Sequence, residues 1–251
     1  MSRRPHPPAR PPSSALPDTA DKAQAVEAMF DRIAPRYDRL NRILTLRMDI
    51  GWRRSSVRAL DLAGSARVLD IACGTGDFCC ELHRQGHRPI GTDFSHGMLA
   101  AARTDAPLVR GDALHLPFAD ASLDGVTCGF ALRNFVALAP MLAETARIVR
   151  PGGRIALLDV AEPESRVVHA GHGIWFRRVV PFVGGLLSDR AAYRYLPEST
   201  AYLPPTPTLL ALVRDAGFDD VVRRTFLFGT AQLISATRRT DAVPAAAESA
   251  A

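Results

Sequence analysis

Helical spacing opens the chain. Val26, Met29, Phe30 and Ile33 recur at intervals of three and four and predict a helix. It should break before Pro35, because a residue preceding proline is driven out of the α region. Leu40, Ile43 and Leu44, then Trp52 and Val57, predict a second helical stretch reaching Arg58. The period then changes. Arg67-Val-Leu-Asp-Ile-Ala72 is a short apolar run ending on Gly-Thr-Gly, the pattern of a buried parallel strand entering a tight turn. The pattern continues with a helix over 76–85, a strand over 87–94, a helix over 95–103 and strands over 107–112 and 123–130. A helix over 136–149 is stopped by Pro151-Gly152-Gly153, and a strand over 154–160 follows.

Alternating strands and helices predict an α/β fold with a doubly wound parallel sheet. Residues 163–205 interrupt the alternation with helix-length apolar stretches broken by Gly and Pro, and read as an inserted cap. A helix over 206–216 stops at Gly217. Two strands, 221–228 and 230–237, are joined at Gly229 by a link too short for a parallel crossover, so this last pair is antiparallel. Residues 1–20 are Pro-rich without an apolar face, and 241–251 are Ala-rich; both read as disordered tails. The domain is expected over 21–240, with N-terminal helices in 21–60.

Composition narrows the function classes. The 251 residues are 47% apolar with a formal charge of +5, which is ordinary globular composition. No apolar stretch approaches the roughly 20 residues of a spanning helix. Of the 31 basic residues all but Lys22 are Arg, and no aromatic-rich basic patch or RNA-binding motif appears, so no nucleic-acid partner is expected. Arg32 to Arg58 is locally basic, which suits either a solvated helix face or peripheral contact with an anionic membrane. Cys73, Cys79, Cys80 and Cys128 form no C-x-x-C pair, so no metal is expected. With no secretory signal either, a reducing cytoplasm fits best.

The candidate chemistry starts at Asp70-Ile-Ala-Cys-Gly74-Thr75-Gly76-Asp77, where a strand gives way to a helix and glycines let backbone approach a ligand. Asp93 ends the next strand, 17 residues beyond Gly76, where a carboxylate meets the two hydroxyls of a ribose. Asp112 ends the third strand within reach of an adenine amino group. Cys79 stands where a dinucleotide fingerprint has its third glycine. With the antiparallel last strand, this favours S-adenosylmethionine over NAD.

These stretches resemble the ubiquinone/menaquinone biosynthesis C-methyltransferases, the demethylmenaquinone methyltransferase-like enzymes of class I. The likeness runs through Ala34-Pro-Arg-Tyr-Asp-Arg-Leu-Asn41, the glycine loop, Gly111-Asp-Ala-Leu-His-Leu-Pro-Phe118, Phe130-Ala-Leu-Arg-Asn134, Arg150-Pro-Gly-Gly153 and Tyr193-Arg-Tyr-Leu-Pro-Glu-Ser199. It implies a Rossmann-like sheet, methylation of a ring carbon of a prenylated quinol, and cofactor contacts from Thr75, Asp93, Asp112 and Ala113. Two departures stand out. Gly129 replaces the family's serine, which removes a cofactor hydrogen bond, and Thr230 to Ser235 replaces the usual end of the last strand.

Methylation at carbon needs an electron-rich ring, and a quinol provides it best as a phenolate. Arg133, just past the fourth strand, is the candidate for stabilising that anion; its alternative is a structural ion pair. Tyr37, Tyr193 and Tyr195 are candidates to line the acceptor pocket, with Tyr195 as a donor to a ring oxygen. His172 in the cap is a candidate base. Rival readings are a methyltransferase for another small aromatic or polyketide, and a non-catalytic cofactor-binding subunit. Benzoquinol or naphthoquinol, tail length and a homodimeric state are left open.

Overall fold

The computed structural model describes residues 22–161 and 202–240, apart from the side chains of Ala23 and Leu40. Residues 163–201 of the expected cap, with His172, Tyr193 and Tyr195, and both expected tails lie outside the described residues.

Seven strands form one sheet in the order β3-β2-β1-β4-β5-β7-β6. They are β1 (Arg67–Ile71), β2 (Arg88–Asp93), β3 (Leu108–Arg110), β4 (Leu123–Gly129), β5 (Val149–Val160), β6 (Phe218–Phe226) and β7 (Ala231–Arg238). The first five run parallel. β7 is antiparallel to both β5 and β6, as the short link at Gly229 required. This is the Rossmann-like α/β class, and all five parallel strands deliver their carboxyl ends to one edge.

Strand periodicity sorts the core. Leu69, Ile71, Val126, Cys128, Ile155, Leu157 and Ile234 point to one face, against α6 (Leu138–Ile148) and α7 (Thr206–Asp215). Their neighbours Val68, Ala156, Leu158 and Leu233 point to the other, against α3 (Met48–Ala59) and α4 (Asp77–Arg84). A third cluster joins Met29, Ile33 and Ala34 to Met98, packing α1 (Lys22–Ile33) on α5 (His96–Ala100).

The structure corrects several expectations: the strand expected over 221–228 is β6 at Phe218–Phe226, and the one over 107–112 is only Leu108–Arg110. The single helical stretch over 40–58 is two helices, α2 (Tyr37–Leu44) and α3, split where Leu46 and Arg47 take left-handed φ values of 50° and 64°. The helix expected over 95–103 closes at Ala100. β5 starts at Val149, ahead of the Pro-Gly-Gly. Val149 pairs with Leu123, the register then jumps to Arg154 opposite Gly125, and residues 150–153 bulge out between them.

A closed ionic square fixes the N-terminal helices. Arg42 and Arg53 each reach both Asp49 and Asp77, with Arg42–Asp77 at 2.7 Å and Arg53–Asp77 at 3.2 Å. Thr45 adds a hydroxyl to Asp49 at 2.8 Å. Burial alone would raise the Asp49 carboxyl, but Arg53, Thr45 and Arg42 outweigh it and hold it below its ordinary value. Asp49→Ala leaves Arg42 and the buried Arg53 to share Asp77 alone and is expected to cost roughly 3 kcal/mol in urea unfolding. Because the folded carboxyl sits lower than the unfolded one, this stabilisation is present above pH 3.8 and fades as pH falls through the lowered value. A variant as stable as wild type at pH 7 would contradict this account.

Candidate functional site

The floor of the site is the turn that leaves β1. Ala72, Gly74 and Gly76 all have positive φ, at 54°, 55° and 89°. Gly76 has no substitute, since a Cβ there would lie 2.6 Å from Thr104 Cγ2. The Gly74 amide donates to Asp93 Oδ2 at 2.7 Å, and the Ser95 amide to Asp93 Oδ1 at 2.8 Å. Asp93 therefore ties the first turn to the second. Burial raises its carboxyl despite the amides of Ser95, Gly74 and Phe94.

Gly74, Asp93, Asp112, Ala113, Gly129 and Tyr37 line one pocket at the carboxyl edge of the sheet. The Asp112 carboxylate is exposed and accepts the Leu114 amide at 2.9 Å, closing a tight turn after β3. Asp112 thus lies two residues past the strand it was expected to end; its carboxylate and that of Asp93, beside a turn with no side chain at Gly74, fit the ribose and base of S-adenosylmethionine. α1 roofs the pocket with Val26, Glu27 and Phe30.

Three residues of the loop do other work. Thr75 donates its hydroxyl to Asp38, and Asp77 belongs to the ionic square; neither lines the pocket. Gly76 is the N-cap position of α4. Together they fasten α2 and α3 to the glycine turn. Asp70 lies beneath it, fully buried. Its Oδ1 accepts the Thr127 hydroxyl at 2.9 Å, and its Oδ2 has no partner among the described residues. Burial pushes its carboxyl up to about 8.

Gly129 has a steric cause in this chain. A Cβ there would stand 2.5 Å from Cε2 of Phe78, so that ring occupies the space of the family's serine. Arg133 sits in a 3₁₀ turn (Leu132–Asn134) just after β4. Its guanidinium is buried and pairs with Asp159 at 2.5 Å. Asp159 also accepts the amides of Leu132 at 2.8 Å and Val160 at 2.7 Å. The structural ion pair weighed for Arg133 is thus present. Sequence reasoning missed Phe94, Met98 and Asn134, which line the same pocket. Phe94, an aromatic directly after the strand-ending acid, was the available signal.

The sequence pattern of the ubiE/COQ5 methyltransferase family matches residues 18–238. A demethylmenaquinone methyltransferase of Roseiflexus castenholzii is 40% identical over 90% of this chain and 99% of its own. One of Deinococcus radiodurans is 44% identical over 83% and 90%. Among solved structures, a SAM-dependent methyltransferase of Thermotoga maritima superposes with a TM-score of 0.62 at 22% identity, covering 85% of this chain and 99% of that one. This last likeness is one of fold.

Asp93→Ala removes a charged acceptor and unties Gly74 from Ser95. S-adenosylmethionine affinity by calorimetry is expected to fall about 30- to 150-fold, the equivalent of ~2–3 kcal/mol; unchanged affinity would remove the assignment. Asp70 sets a pH dependence. The folded protein keeps this proton up to about pH 8, while the unfolded chain releases it near 3.8. Between those values stability falls as pH rises. Asp70→Asn should flatten that slope in urea midpoints taken at pH 5 and 8.

Proposed function

The chain belongs to the ubiE/COQ5 methyltransferase family, and we propose that it methylates a ring carbon of a prenylated quinol, with a demethylnaphthoquinol as substrate. Two relatives at 40% and 44% identity carry the name demethylmenaquinone methyltransferase, which supports that choice of ring. The observation that carries the reading is the pocket, where Asp93 at the end of β2 and Asp112 in the turn after β3 stand beside the Gly74 turn.

S-adenosylmethionine supplies the electrophilic methyl group. The chain's part is to hold and orient: Gly74, Asp93, Asp112 and Ala113 would take the adenosine end. Tyr37 is the phenol on the acceptor side. Burial raises its pKa against the opposing pull of Asn41, Arg133 and Arg53, so it stays protonated and serves as a donor to a ring oxygen. Arg133 polarises this wall, but with its charge balanced by Asp159 it acts as half of a dipole. Tyr193, Tyr195 and His172 remain candidates for the rest of the acceptor site.

A prenylated substrate resides in a bilayer, and no helix among the described residues is long and apolar enough to cross one. We therefore place the contact at the membrane surface. Exposed Ile43 and Leu46, between exposed Arg39 and Arg47, support a shallow apolar tip within a basic rim. Sedimentation with anionic liposomes that fades as salt rises checks this.

Deleting the gene should leave the host with a demethyl quinone, identified by mass spectrometry of extracted lipids and reversed on complementation. An unchanged quinone profile would overturn the substrate. In vitro, turnover should require the reduced quinol and rise with pH as the phenolate forms; equal turnover of quinone and quinol would refute the mechanism. Arg133→Ala should lower kcat on the order of 10²-fold. It should also destabilise the fold, since Asp159 is left buried and unpaired. Arg133→Ala combined with Asp159→Ala should recover stability but not kcat.

A further inference from the structure

Thirty of the 31 basic side chains are Arg, and the one Lys stands at the first position of α1. Local preference does not explain it, because a cation at a helix N-terminus opposes the helix dipole. Its tertiary contacts do. Lys22 is buried, and its ammonium donates to the carbonyl oxygens of Arg133 at 3.1 Å and Phe135 at 2.9 Å. It also lies 3.9 Å from the centre of the Tyr202 ring. A compact ammonium with three tetrahedral donors serves two carbonyls and a π-face; a planar guanidinium does not. Burial lowers the Lys22 pKa, in keeping with a seat largely removed from water.

The two carbonyls flank Asn134, and Asn134 and Phe135 both line the pocket. The rest of α1 is fastened to the opposite wall. Asp31 accepts the Ser95 hydroxyl at 2.5 Å and the Gly97 amide at 2.8 Å, and Glu27 pairs with Arg110 at 2.8 Å. Ser95 is the same residue whose amide holds Asp93. The helix thus crosses the pocket from the β2 side to the β4 side, with Val26, Glu27 and Phe30 lining the space between.

We propose that Lys22 is a positioning residue: its ammonium sets the loop after β4 that carries Arg133 and Asn134, and fastens α1 across the pocket so that cofactor leaves only when this contact opens. The proposal rests on the cofactor reading above.

The test uses the full chain with Lys22→Met and Lys22→Arg. Lys22→Met should speed dissociation of S-adenosylhomocysteine in stopped flow by about tenfold, the scale of a lost charge-assisted bond. It should also raise amide exchange at 132–136 while leaving β1 unchanged. Lys22→Arg should restore part of both. A dissociation rate within twofold of wild type, or faster exchange spread equally into β1, would overturn the proposal. Should Lys22→Met fail to fold, wild type still decides. The chain has one lysine, so an amine-acylating reagent followed by peptide mapping reads Lys22 alone. S-adenosylhomocysteine should slow that acylation at least tenfold, and an indifferent rate would overturn the proposal. If S-adenosylhomocysteine does not bind wild type, the cofactor reading fails instead, while the exchange at 132–136 still reports on Lys22.

Discussion

The site depends on the ionic square that joins α2 and α3 to the glycine turn. Arg42 and Arg53 each bridge Asp49 and Asp77, and Asp49 is buried to 1% exposure. Charges taken out of water stabilise a fold only when every member is paired, since removing one strands the others. Four groups closing on one another meet that condition. The Arg53 guanidinium also lies over the rings of Phe78 and Phe130, at 5.9 Å and 5.5 Å, so the apolar wall and the ionic square are one unit. With Thr75 bonded to Asp38, the turn that approaches the ligand is gripped from its outer side. Its inner side, at Gly74, lines the pocket.

That division explains why neighbouring residues in one motif have unlike duties. Gly74 and Asp93 face the pocket; Thr75 and Asp77, one and three residues on, face the helices. Asp93 supports the turn and lines the pocket at once, taking the Gly74 amide on one oxygen and the Ser95 amide on the other. Beneath them burial pushes the Asp70 carboxyl up to about 8.

The sheet was legible because its signals are local. Period-two burial, a glycine turn and the two-strand link at Gly229 each occupy fewer than ten residues. Asp93 and Asp112 were legible because parallel strands end at one edge. What was hidden lay in pairings distant in sequence. Nothing near Thr75 announces Asp38, nothing near Arg133 announces Asp159, and Asp77 looked like a ligand because its partners lie in other helices. The split between α2 and α3 was hidden for another reason: Leu46 and Arg47 adopt left-handed backbone that neither residue type favours, and the ionic square holds them there. Gly129 read as a lost hydrogen bond until Phe78 supplied its cause, a ring already in the space a side chain would need.

Residue choice among the cations follows from the same geometry. Arg42 and Arg53 must each touch two carboxylates, and a planar fork with five donors spans that gap where a point charge does not. Arg133 must satisfy the fully buried Asp159 beside the two amides that already reach it. Among the described residues Lys22 meets no carboxylate in its seat; it meets two carbonyl dipoles and a ring, and compactness outweighs reach. A composition of thirty Arg to one Lys therefore masks two distinct functions. Guanidiniums join helices to the turn and pair with the buried Asp159. The single ammonium works where the helix that roofs the pocket meets the loop that carries Arg133.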